Sequence, residues 1–76
     1  MNIEVFVENF AEQLDDTDVS VLSPKTEFKR LDEWSSLVAL SVIAMVDEEY
    51  DVELHGDDIR NAITIEDLFE TVKSKM

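Results

Sequence analysis

Side chains able to do chemistry are few in this chain, which has no cysteine and a single histidine, His55. A serine nucleophile needs a base held by a third group, and His55 stands alone with no Gly-x-Ser-x-Gly turn elsewhere. No enzymatic activity is expected. The acids raise the question of calcium. An EF-hand loop starting at Asp51 puts Gly56 correctly at its sixth position, but Asp58 falls where an apolar residue belongs and Ala62 where the bidentate glutamate should be. That loop fails, and no metal site is expected. Two adjacent hydroxyls, Ser35 and Ser36, stand immediately before a long apolar run from Leu37 to Val46.

Helices must position those hydroxyls. Ile3, Phe6, Val7, Phe10, Ala11 and Leu14 recur at helical spacing opposite Glu4, Glu8 and Glu12, which predicts a first helix ending near Asp15 to Asp18, where acids oppose the macrodipole. A long connection follows from Thr17 to Glu33. Irregular chain of that length is uncommon unless functional, and Phe28 and Leu31 are expected to pin it to the core. The second helix opens at Ser35 or Ser36 and runs to about Tyr50. Because it is apolar almost all round, it must pack on several sides or meet a partner. Leu40, Val42, Ile43 and Val46 are read as core, with a secondary capacity to line a cavity. Trp34 is read as a packed aromatic covering the helix end. Asp57 to Ala62 predicts a short helix favoured by Asp57 and Asp58 at its start. Thr64, with Asp67 three residues on, caps a last helix whose inner stripe is Ile65, Leu68, Phe69 and Val72. The fold class is therefore all-α: a four-helix bundle with a long first loop and a short third helix, forming a single domain over residues 1–76.

Nineteen acidic residues against six basic ones give a formal net charge of −13. Such a charge repels nucleic acid and anionic lipid and favours partners with basic docking surfaces. It is also unevenly placed. From Leu31 to Ile59 there are nine acids and no Lys or Arg, and within that span Trp34 to Val46 carries no charge at all. Glu4 and Glu8 exclude a signal peptide, the apolar runs are too short to span a bilayer, and the absence of cysteine suits a reducing cytoplasm. The chain reads as free-standing and monomeric.

The segment from Phe28 through Trp34-Ser35-Ser36-Leu37, with Leu40, Val42, Ile43 and Val46 and then Asp47-Glu48-Glu49-Tyr50-Asp51-Val52-Glu53-Leu54, resembles the acyl carrier protein family. In that family a phenylalanine stands eight residues before the serine of an Asp-Ser-Leu motif, and an acidic stretch closes the helix which that serine opens. Phe28 precedes Ser36 by the same interval, without a gap on either side. The resemblance implies an acyl carrier type of bundle and covalent attachment of 4′-phosphopantetheine to Ser36, with Ser35 as the competing hydroxyl. It also implies a carrier of thioester-bound acyl or related groups in lipid or polyketide biosynthesis. A phosphopantetheinyl transferase and acyl-loading ligases or synthases would be its partners, contacting Leu37, Val38, Asp47, Glu48 and Glu49. An anion at Ser36 would suit the positive end of a helix dipole.

Four positions depart from the family pattern. Ser35 replaces the aspartate before the serine, keeping a cap but losing a charge that Asp32 or Glu33 could supply. Val38 and Ser41 stand where many fatty-acid-type carriers have acids, which points to a specialised pathway. Glu33 replaces a glycine, so the approach to Ser36 is expected to bend differently. The alternative from another class is an unmodified acidic helical adaptor for a basic partner.

Overall fold

A computed structural model describes residues 2–76 as four α-helices with no strand among them. Helix α1 spans Ile3–Ala11, α2 Ser36–Tyr50, α3 Gly56–Asn61 and α4 Ile65–Ser74. Asn2 caps α1 by accepting the Glu4 N–H at 2.7 Å. The helix stops at Ala11, earlier than the apolar spacing predicts, yet Leu14 is still buried. Tighter turns deliver it: the Gln13 and Leu14 N–H groups reach back three residues, to the Phe10 and Ala11 carbonyls. With no base in the last turn of α1, nothing favours another α-helical turn toward Asp15 and Asp16.

Residues 12–35 form the connection to α2, interrupted by 3₁₀ turns at Val19–Val21 and Phe28–Arg30. Its backbone is committed at several places. The N–H groups of Ile65 and Glu66, left without partners at the start of α4, donate to the carbonyls of Thr26 and Pro24 at 3.0 and 2.8 Å. Lys25 adds an ion pair to Glu66 at 2.6 Å, and Lys29 Nζ donates to the Arg60 carbonyl at 2.7 Å. The long loop is thus a strap over the α3–α4 corner.

Phe28 is fully buried and Leu31 half-buried against the core, as the apolar spacing of the loop requires; Leu22 is buried beside them. Phe28 meets Phe10 and Trp34 edge-on, with ring centroids 5.5 and 5.0 Å away, while Trp34 stacks flat over Phe10 at 6.2 Å. At the other end of α1, Phe6 packs on Tyr50 and Phe69. Ile65, Leu68, Phe69 and Val72 form the buried stripe of α4, as predicted. Thr64 accepts the Asp67 N–H while Asp67 accepts those of Thr64 and Ile63, so the predicted cap is present in reciprocal form.

In α2 only Val42, Met45 and Val46 are buried. Ile43 is half-buried against the core, but Leu40 is 63% exposed and Leu37 73% exposed. Leu40 is therefore not core. An apolar run with no polar phase does not say which side of a helix faces in, and the bundle covers only one side of this one. The helix ends at Asp51, whose left-handed backbone (φ 55°, ψ 40°) lets its N–H close on the Asp47 carbonyl at 3.0 Å.

Candidate functional site

The start of α2 separates the two serines by role. Ser35 has extended backbone and is the N-cap: its Oγ accepts the Val38 N–H at 3.2 Å, and its carbonyl accepts the Ala39 N–H at 2.9 Å. Ser36 is the first helical residue, is exposed, and its hydroxyl makes no hydrogen bond to a described residue. The N–H groups of Ser36 and Leu37 have no intrahelical acceptor, as in any first turn. Such donors beside a free hydroxyl suit an attached anion, worth about 0.3–1 kcal/mol at an exposed helix end. The residues present therefore fit a phosphodiester at Ser36.

Leu37 and Val38 share that first turn, Leu37 in solvent and Val38 half-buried against the core. Asp47, Glu48 and Glu49 lie exposed in the last turn of the same helix, about 15 Å along its axis at 1.5 Å per residue. None of the three acids makes an ion pair with a described residue. Leu40, one turn beyond Leu37 on the same face, joins the exposed apolar end; the sequence reading had placed it in the core. The exposed side of α2 therefore has an apolar head next to Ser36 and an acidic foot.

The Glu33 carboxylate is engaged by partners distant in sequence. It turns toward the end of α1, where it accepts the N–H groups of Asp15 and Asp16 (2.9 Å for Asp16) and the Thr17 hydroxyl at 2.7 Å. The Thr17 hydroxyl, followed by the two amides, holds this carboxyl below the usual glutamate range. No described residue but Asp51 has positive φ, so the Glu33 backbone does not need the conformational freedom of a glycine.

Two open clefts mark the surface. One, of about 410 Å³ between α1 and α2, is lined by Asn9, Glu12, Gln13, Ser41, Ala44, Met45, Glu48 and Glu49. The other, of about 470 Å³, is formed by Asp16, Thr17, Leu31, Asp32 and Glu33. Both are too polar to suit an aliphatic chain, and Leu40, Val42, Ile43 and Val46 line neither. His55 faces solvent, 3.6 Å from Glu53. Among the described residues no three His, Asp or Glu side chains converge as metal ligands, and no helix is long and apolar enough to cross a membrane.

Carboxylates that accept backbone N–H groups make the fold acid-sensitive. Asp58, through the His55 N–H and then Lys75, and Asp67, through the Thr64 and Ile63 N–H groups, sit below the usual aspartate range, as Glu33 sits below that of glutamate. A group whose pKa is lower in the folded than in the unfolded chain stabilises fully above its unfolded value, about 4 for these carboxyls, and progressively loses that contribution as pH falls through the folded one. Urea midpoints should therefore fall below about pH 4. The variant Glu33→Gln/Asp58→Asn/Asp67→Asn should show a flatter acid limb, and an unchanged limb would mean that other carboxylates carry it.

Comparison with family models, with curated proteins and with solved structures finds no match to this chain.

Proposed function

We propose that the protein is a carrier of the acyl carrier type, holding acyl or related intermediates as thioesters on a 4′-phosphopantetheine arm attached to Ser36 and catalysing no reaction itself. The observation that supports this reading best is the division of labour at the start of α2: Ser35 is consumed as the cap, and Ser36 is left exposed with a free hydroxyl beside unpaired amides. Ser36 Oγ would form the new P–O bond as coenzyme A releases adenosine 3′,5′-bisphosphate, and the serine proton would pass to a base on the transferase. Once bound, the arm supplies a terminal thiol, the reactive sulfur that this cysteine-free chain lacks. The protein's own part is to present and orient that arm. The proposed setting is cytoplasmic.

Incubation with coenzyme A and a broad-specificity phosphopantetheinyl transferase should add one phosphopantetheinyl group, read by intact-mass spectrometry. A chain that stays at its unmodified mass would instead indicate an acidic helical adaptor.

Partners would be loading ligases or synthases with an apolar socket near Ser36 and a basic patch beyond it, because rim charges tune encounter rate and specificity. Reversing Asp47, Glu48 and Glu49 to Lys should slow loading by the cognate enzyme about tenfold at low salt. The far-UV circular dichroism should not change, since all three side chains are exposed and outside any ion pair with a described residue. Equal loading rates for the reversed and native chains would reduce the acidic run to a solvated surface.

A further inference from the structure

We propose that Glu33 is a positioning residue: its carboxylate clamps the segment leading into Ser36 onto residues 15–17, the stretch that follows α1, and so fixes the direction in which the Ser36 hydroxyl is offered. The role in modification rests on the carrier reading above. Three donors converge on this one side chain, the Asp15 and Asp16 amides and the Thr17 hydroxyl. They span the point at which α1 has ended and the chain turns away. The next residue is held to α1 itself by different means, since Trp34 stacks within 5° of parallel on Phe10. The Trp34 N–H also closes a turn on the Leu31 carbonyl at 3.0 Å. Two consecutive residues thus tie down the chain immediately before the Ser35 cap, Glu33 by charge-assisted hydrogen bonds to the stretch after α1 and Trp34 by ring contact with α1 itself.

The grip matters because the hydroxyl itself is exposed and has no hydrogen-bond partner among the described residues. Its direction is set by the first turn of α2, and that turn is set by what precedes it. Charge-assisted bonds to a carboxylate are roughly twice as strong as neutral ones, so this acid is better suited to the task than an amide. Small errors of placement at a reacting atom are costly in rate.

The test compares arm transfer by one transferase for the native chain, Glu33→Ala, Glu33→Gln and Thr17→Val. Because Trp34 is the single tryptophan, its emission reports the clamp without a label. Glu33→Ala should lower kcat about tenfold with little change in KM, and should shift Trp34 emission to the red. Glu33→Gln, which keeps an acceptor oxygen, should restore part of both. Thr17→Val should give a smaller loss, and its effect should vanish in the Glu33→Ala background, since the two share one interaction. The same emission shift should appear when Glu33→Ala is combined with Ser36→Ala, where no arm can be attached. Arm transfer at the native rate in Glu33→Ala overturns the positioning role even if modification is complete. Unchanged Trp34 emission overturns the clamp, whatever the arm does. A native chain that takes no arm overturns the carrier reading and, with it, Glu33's part in modification. If Glu33→Ala does not fold, Glu33→Gln and Thr17→Val decide between the same outcomes.

Discussion

Ser36→Ala should leave the chain at its unmodified mass after exposure to transferase and coenzyme A, whereas Ser35→Ala should still gain one phosphopantetheinyl group. The expected contrast is all-or-none because the two hydroxyls differ in what they already do. Ser35 Oγ is occupied by the Val38 N–H, and Ser36 Oγ has no partner among the described residues. The stability effects run the other way. Losing the Ser35 cap should cost about 1 kcal/mol, which lowers the melting temperature of a domain this size by roughly 4–8 °C. Ser36→Ala removes no internal hydrogen bond and should melt with the native chain. An arm found on Ser35, or one that persists in Ser36→Ala, would sink the assignment.

Phe28→Ala should unfold most of the population at 25 °C. Phe28 is fully buried between Phe10 and Trp34, and it anchors the strap of residues 12–35. Truncating a buried phenylalanine costs about 3–5 kcal/mol, and a core in a chain of this length supplies about 3–5 kcal/mol in total. The loss is therefore comparable to the whole stability. Leu40→Ala removes an aliphatic side chain from a residue that is 63% exposed, and surface changes of that kind usually stay within about 0.5 kcal/mol. Urea titrations followed at 222 nm separate the two. A Phe28→Ala chain with a cooperative transition near the native midpoint would show that the strap is not pinned by this ring.

These variants also mark what could be read before the fold was known. The α4 cap was legible because Thr64 and Asp67 are local partners, three residues apart, with an unambiguous stripe behind them. Phe28 was legible because a large aromatic ring in a polar loop has nowhere else to go. The extent of α1 was not, since Leu14 completes the apolar spacing while reaching the core through tighter turns. Leu40 was misplaced because a run from Leu37 to Val46 offers no polar face from which to set its phase. The Glu33 contacts join residues 16 to 18 positions apart, and no periodicity encodes such a tie. Its only trace was an acid where the family resemblance led one to expect glycine. The assignment of Ser36 over Ser35 came from register, and the cap geometry adds a physical reason for the same choice.

The strip along α2 keeps its charge at one end and its greasy side chains at the other, and this separates arrival from residence. On the carrier reading, the acidic foot governs how fast a basic partner is found, because its field extends about 10 Å into 0.1 M salt. The head, built on Leu37 and Leu40, acts only on contact and governs how long the complex lasts. Ionic strength would then change how often the carrier visits a partner and leave the length of each visit nearly constant. A shuttle needs that independence, for it can be recruited quickly by several enzymes without lingering on any one of them.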